Sequence, residues 1–465
     1  MANSRKSKPS KSVSADLVSH VTRQLRDVIK PGERLVVGLS GGVDSIVLLD
    51  VLHRISKRRH FSLAALHVNH QISRNAGRWA AFCREACRVR GIPFRTVRVK
   101  VRGGDSLEAA ARAARYEAFR SQKADYTVLA HNQDDQAETV LLQLLRGAGV
   151  KGLAAMPLVS SRRLAVSRQQ NAPRAPRPAP LILRPLLEVT RREIEAYAKA
   201  RGLEWIEDES NADTYFARNF LRHEILSLVA GRYPSYRTTL ARSAKHLAEA
   251  SQLLDELAEH DSAGYCSGGA LQIAGLRKLS RARAKNLLRH FLAGHGAIMP
   301  NTERLEEALR QALTAKDDAG VRIALGDFEL RGFAGALHVV DKTSGPDTKF
   351  SRAWDGEREL ALPELHGVLS MSKGRGIGIS LAKLQAKPVR IRVRGGGERM
   401  QPDCRRPRRS LKNLLQESRI PPWQRERLPL LFSGSKLVWA PGIGIDCEFQ
   451  ARAGETAVAP GWKAQ

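Results

Sequence analysis

Two short segments hold residues whose types and spacing can do chemistry. Ser40-Gly41-Gly42-Val43-Asp44-Ser45 lies between an apolar run that ends at Leu39 and a second apolar run over 46–52. A glycine-rich turn that leaves a strand and enters a helix exposes backbone N–H groups, and the helix N-terminus adds positive dipole character. Together these make a phosphate cradle. The glycine pair lets the backbone approach phosphate closely, and Ser40 and Ser45 can donate hydroxyl hydrogen bonds. Asp44 would repel phosphate, so it makes sense as a Mg²⁺ ligand. The lysine of G-x-x-x-x-G-K-[ST] is absent, and the spacing is not G-x-G-x-x-G. An ordinary capping turn uses the same residue types, so the rest of the chain must decide. The second segment is His131-Asn132-Gln133-Asp134-Asp135-Gln136-Ala137-Glu138-Thr139, directly after the apolar run 126–130. Asp134 and Glu138 are i,i+4 neighbours on a helix, with Leu141 and Leu145 continuing that stripe into the core. Two carboxylates at such a mouth suit an ammonium-bearing substrate, a metal ion or a general base. One of them alone could simply favour the helix dipole.

These residues need a sheet to hold them. Strand-like runs at 34–39, 61–69, 94–99 and 126–130 alternate with helix-like runs at 43–56, 75–90, 106–121 and 133–146. A fifth strand is expected near 181–183 and a helix at 190–201. This order predicts an α/β fold, a doubly wound parallel sheet covered on both faces. Both segments then lie at carboxyl ends of strands, where open parallel sheets bind ligands. His67 and His70 close the second strand at that same edge, placed to stack on or bond to adenine or simply to be satisfied strand-end histidines. Asp105 can cap the helix that carries Glu108, Arg112 and Arg115. The two arginines share a side with Glu108 and can serve ATP phosphates or an RNA backbone, or pair with it on the surface.

The catalytic domain is expected over 21–215, behind a disordered basic arm at 1–20 and interrupted by a flexible Arg/Pro/Ala-rich insertion at about 159–180. A mixed, mostly helical domain follows at 216–345, with Leu240, Leu247, Leu253 and Leu254 as core positions. A linker is expected at 346–386 and a small, basic α+β domain at 387–460. The chain of 465 residues carries a net charge of +30. That excess points to a polyanionic partner, nucleic acid first, although part of it reflects a preference for arginine over lysine. Its densest stretch, 390–412, holds Arg405, Arg406, Arg408, Arg409 and Lys412, a set suited to phosphates of a folded RNA. Trp423, beside Pro421 and Pro422, reads as core. Five cysteines without C-x-x-C are simplest in a reducing cytoplasm, with Cys83 and Cys87 as buried thiols. No run of 18 apolar residues exists, so no membrane span is expected. The amino terminus lacks the apolar stretch of a secretory signal.

S-G-G-V-D-S resembles the pyrophosphate loop of enzymes that split ATP into AMP and pyrophosphate. With the 131–139 segment, the chain resembles the tRNA(Ile)-lysidine synthetase family. Further matches are Leu66-His67-Val68-Asn69-His70, the helix Glu108 to Tyr116, Arg146 to Leu153, Asp208 to Asn211, Arg218-Asn219, Arg409 to Glu417, Pro421-Pro422-Trp423 and Arg425 to Leu431. The resemblance implies that ATP adenylates the wobble cytidine of the CAU anticodon in isoleucine tRNA and that the ε-amine of free lysine then displaces AMP to form lysidine. It also implies that residues 40–45 hold pyrophosphate with Asp44 on Mg²⁺. Asp134 and Glu138 would orient lysine, one of them taking its proton, and the two basic domains would dock the tRNA. It is compatible with a homodimer. The family usually has Arg at Phe220, Pro at Ser227 and Gly at Ala155. Another pyrophosphate-loop enzyme, such as a tRNA thiolase, would be expected to carry a reactive or cluster-binding cysteine pair, and no C-x-x-C is present.

Overall fold

The computed structural model describes residues 12–71, 73–99, 107–160, 179–207, 217–297, 299–314, 321–342 and 350–464. The chain divides into two compact units, Met1–Asp261 and Ser262–Gln465. The first is built on six strands: β1 (Arg34–Gly38), β2 (Ser62–Asn69), β3 (Phe94–Arg98), β4 (Tyr126–Val128), β5 (Val159–Ser160) and β6 (Leu181–Leu183). Their order is β3-β2-β1-β4-β6-β5. The pairs β3–β2, β2–β1, β1–β4 and β4–β6 are parallel, and only the edge pair β5–β6 is antiparallel. Side chains on a strand alternate between faces. Leu35 and Val37 accordingly join a large core with α1 (Ser12–Leu25), α2 (Val43–Arg59), α3 (Ala76–Arg88) and α7 (Arg191–Ala200), where Val21, Leu48, Cys83 and Ile194 are buried. Val36 points the other way, to Leu66, Phe119 and Leu129 and hence to α4 (Leu107–Arg120). Helices thus cover both faces, which is why the central strands are apolar throughout. At Gly38 the approach is so close that a Cβ would lie 2.7 Å from Leu129 Cδ2.

The strand order reverses at β1, whose neighbours are β2 on one side and β4 on the other. The turn from β1 into α2 and the turn from β4 into α5 (Gln133–Leu145) therefore flank one crevice, the switch point of the sheet. After α5 come α6 (Val150–Leu153), α8 (Ala217–Phe220), α9 (Leu226–Arg232) and α10 (Tyr236–Tyr265). Between α8 and α9, residues 221–225 form a widened turn in which the Leu226 N–H donates to Leu221 O, five residues back. Leu226 and Tyr236 pack on Ala137 of α5.

In the second unit, α11 (Ile273–Lys278), α12 (Arg281–Gly294) and α13 (Thr302–Thr314) cover a sheet of order β7-β8-β11-β10-β9. Its strands are β7 (Cys266–Ser267), β8 (Ala270–Gln272), β9 (Arg322–Leu325), β10 (Phe328–Phe333) and β11 (Ala336–Asp341). Leu271, Leu288, Leu309 and Leu330 are fully buried between them. Residues 350–464 form a five-stranded and a four-stranded sheet around Leu362, Leu369, Ile391, Val438 and Val458. Against the expectation of thiols in a reducing setting, Cys404 and Cys447 are paired as a disulfide, with Cα atoms 5.4 Å apart.

Several expectations give way. The arm expected at 1–20 is helical from Ser12, because Leu17 and Val21 bury against the sheet core; residues 1–11 lie outside the described residues. The insertion expected from 159 starts with an edge strand, Val159–Ser160, and 161–178 lie outside the described residues. Residues 346–386 are not a linker where they are described: Glu359–Leu362, Gly367–Arg375 and Ile379–Ser380 are strands of the four-stranded sheet. Leu145, Leu253 and Leu254, expected in the core, are 68%, 65% and 38% exposed. Trp423 is partly buried, packing edge-on against Phe333 and His338 at ring separations of 5.9 and 5.3 Å, with the Arg331 guanidinium 5.5 Å over its ring.

Candidate active site

The loop 40–45 is held open by its own hydroxyls. Ser45 Oγ donates to Gly42 O (2.9 Å) and accepts from the Gly41 N–H (3.1 Å), and Ser40 Oγ accepts from the Gly42 N–H (3.3 Å). Ser45 is buried, so its hydroxyl shapes the loop, whereas Ser40 is exposed at its mouth. Gly41 has φ +96°, and a Cβ there would lie 2.9 Å from Ile206 Cδ1 and 3.3 Å from Cys83 Sγ. Gly42 caps α2 without any side-chain hydrogen bond. The first N–H groups of a helix have no partner within it. They leave the anion-binding end of α2 to the backbone alone, with Val43 anchored in the core below.

The 131–139 segment meets this loop directly. Asn132 caps α5 in a reciprocal box with Asp135, which frees its amide to donate to Asp44 Oδ1 at 3.0 Å. Asp44 Oδ2 accepts from Arg191 NH1 at 2.5 Å. Burial pushes the Asp44 carboxyl up, and Asp135 adds to that, against the opposing pull of Arg191 and Asn132. Asp134 pairs with Arg237 and accepts from the Arg191 backbone N–H at 3.2 Å. Glu138 is 1% exposed and takes Arg218 Nε at 3.0 Å and Arg222 Nε at 2.6 Å. The expected stripe of two carboxylates open to a substrate is thus a stripe of carboxylates each already held by guanidinium. His131 is half-buried and accepts at Nδ1 from Arg184 Nε (3.2 Å). Its pKa is driven down chiefly by burial, with Asp135 opposing and Arg184 adding to the shift.

His67 lies beneath the loop, buried, with Nδ1 2.9 Å from Leu39 O, so burial holds it neutral. His70 is half-buried, with Nε2 accepting from Arg115 Nε at 3.4 Å. Burial, then Arg115, push its pKa down to about 4. Arg112 is exposed over the Tyr116 ring (5.2 Å). Asp105 and residues 208–211 lie outside the described residues. Ala155, where the family usually has Gly, has φ +53°, a conformation that Gly adopts without strain. In the second unit Arg405, Arg406, Arg408 and Lys412 are exposed. Arg408 reaches Asp446 at 3.1 Å, Arg406 lies 3.4 Å from Asp403, and Arg409 forks onto Glu417. Among the described residues no group of three His, Cys, Asp or Glu could hold a metal, and no helix is long and apolar enough to cross a membrane.

The arginines 184, 191, 218, 222 and 237 were not marked as site residues from sequence. They lie 53 to 147 positions from the carboxylates or histidine that they serve: Arg184–His131 at 53, Arg191–Asp134 at 57, Arg218–Glu138 at 80, Arg222–Glu138 at 84, Arg237–Asp134 at 103 and Arg191–Asp44 at 147. Only Arg218, in the quoted Arg-Asn pair, carried a signal.

A backbone anion cradle facing a carboxylate-bearing helix at a sheet's switch point is the arrangement of the PP-loop class, and residues 16–229 match the family model described as a PP-loop domain. Residues 271–338 match the TilS substrate binding domain and 389–462 the TilS substrate C-terminal domain. The chain is 47% identical over 456 residues to the tRNA(Ile)-lysidine synthase of Nitrosomonas europaea, covering 97% of each chain. It is 42% identical to that of an Azoarcus species (93% of this chain, 92% of the relative) and 38% identical to that of Coxiella burnetii (90% and 91%). The chain belongs to the tRNA(Ile)-lysidine synthase family.

Proposed function

We propose that this chain is an ATP-dependent ligase that joins lysine to the wobble cytidine of CAU-anticodon isoleucine tRNA, giving lysidine, AMP and pyrophosphate. The observation that carries the reading is the Asn132–Asp44 hydrogen bond, which fastens the carboxylate helix to the phosphate loop in one crevice. ATP would lie with its β and γ phosphates over residues 41–45. The carbonyl oxygen of the cytidine attacks the α-phosphate, and pyrophosphate leaves into the cradle. The lysine ε-amine then attacks the activated ring carbon and AMP departs. Adenylation matters because the amide-like ring carbon has no leaving group of its own.

Asp44 fits a Mg²⁺ ion held by one protein carboxylate and several phosphate oxygens, the way this ion usually binds. When bound, the ion would offset charge that builds on the leaving pyrophosphate. Of the two stripe carboxylates, Asp134 is 20% exposed at its side chain and within reach of a small ammonium, while Glu138 is almost fully enclosed. Asp134 therefore receives lysine, in exchange for Arg237, and Glu138 fixes Arg218 and Arg222. Arg112, Arg115 and the exposed cations of the second unit, Arg405 and Lys412 among them, contact the tRNA backbone. An enzyme that acts on free tRNA and free lysine works in the cytoplasm.

The test is transfer of radiolabelled lysine to tRNA by purified protein with ATP and Mg²⁺. Acid-stable, ATP-dependent labelling of CAU-anticodon isoleucine tRNA, and none of elongator methionine tRNA, is the expected result. ATP cleaved to AMP with no lysine incorporated would assign another nucleophile.

A further inference from the structure

We propose that Arg191 is a cation relay: it neutralises Asp44 as long as no divalent cation does so, and passes to the phosphates of ATP when one takes its place. The proposal rests on the ATP-using reading above and names a residue that positions the nucleotide. Arg191 is the first residue of α7, after the Thr190 cap. Its side chain spans two carboxylates, with NH1 2.5 Å from Asp44 Oδ2 and Nε 2.9 Å from Glu195 Oε1. Its backbone N–H is fixed separately, on Asp134 Oδ2. The base of the side chain is therefore anchored while its tip is 44% exposed.

The two oxygens of Asp44 are held differently. Oδ1 takes a neutral amide from Asn132, which is compatible with a metal on the same carboxylate. Oδ2 takes a full positive charge. A divalent cation and a guanidinium repel each other strongly at contact distance, so they cannot share Oδ2. Arginine does not lose its proton in proteins, so it must vacate the oxygen by moving. On the proposed reading the anionic destination beyond Glu195 is the triphosphate that would lie over residues 41–45, and the planar fork of a guanidinium matches phosphate oxygens. Glu195 keeps a second hold on the side chain in either position. One arginine thus balances the charge of Asp44 and makes ion entry conditional on nucleotide.

The proposal predicts effects of opposite sign on two ligands. Full-length wild type, Arg191→Gln and Arg191→Lys are compared by Mn²⁺ titration alone, read by electron paramagnetic resonance, and by calorimetric titration of a non-cleavable ATP analogue with Mg²⁺. In Arg191→Gln, Mn²⁺ alone is expected to bind several-fold tighter, and the Mg²⁺–nucleotide about tenfold weaker, a loss typical of one charged hydrogen-bond donor. Arg191→Lys keeps the charge without the fork and should fall between. Thermal melting of both variants checks that the fold persists. Weakening of both ligands together would mean a structural ion pair, and unchanged Mn²⁺ binding would also overturn the relay. Neither readout uses tRNA or lysine, so failure of lysine transfer by wild type would remove the proposed reaction and leave these signs to be read separately.

Discussion

Arginine does opposite work in two regions of this molecule. Around α5, Arg191, Arg218, Arg222 and Arg237 all meet carboxylates, two of them on the almost fully enclosed Glu138. In the stretch 405–412, Arg408 and Arg409 have acidic partners, while among the described residues Arg405 and Lys412 are exposed without one. Residue type is alike in both places; pairing is not. A guanidinium locked to a carboxylate fixes geometry and projects little field, whereas an unpaired one releases counterions from nucleic acid. The +30 total therefore overstates the charge available to RNA.

Glu138→Gln should break the first region most severely. It leaves Arg218 and Arg222 without their charge partner, and lysine transfer is expected to fall by two orders of magnitude or more. The stability loss read by urea unfolding should be about 2 kcal/mol, below the range for a fully buried pair because both arginines reach solvent. Unchanged stability would mean that the arginines find water or other acids as easily. The second region calls for the reverse signature. The double variant Arg405→Ala, Lys412→Ala should weaken tRNA binding about tenfold and lower the salt slope by about one unit per lost phosphate contact, with turnover at saturating tRNA unchanged. Arg409→Ala, already held by Glu417, should cost less in the same titration.

The smallest effect sharpens the contrast with a case in between, Arg115 against a neutral histidine. His70 in the folded chain sits at about 4, below the ordinary 6.5. The unfolded chain then binds more protons between those values, so stability is present above pH 6.5 and is lost as pH falls toward 4. Burial drives His67 and His131 in the same direction. Unfolding measured across this window should show a shallower decline in His70→Gln than in wild type.

The sheet and its ligand edge were readable because parallel strands buried on both faces are continuous apolar runs, and 34–39 and 126–130 are such runs. The loop and the 131–139 segment were readable because their chemistry is local. What escaped was non-local. Nothing near Arg191 or Arg237 announces Asp44 or Asp134, since those pairs exist only once α7 and α10 are placed. The strands within 346–386 escaped for a different reason. Leu360 with Leu362, and Leu369 with Met371, alternate as a half-buried strand should, but each run is short and surrounded by glycine and charge. Leu145 misled because a stripe that starts at the site leaves the core again when α5 outruns its neighbours.

The widened turn at 221–225 carries a consequence for how this sequence can vary. It holds one residue more than a regular helix would need, and each helical residue turns the chain by about 100°. Arg218 lies before that surplus, and Leu226, Tyr236 and Arg237 lie after it. The extra residue works as a shim that sets the bearing of everything downstream relative to α5. Removing it would tidy the backbone and misaim the side chains, so a more regular helix here would make a poorer enzyme, and single-residue gaps in this stretch should be rarer among working relatives than substitutions.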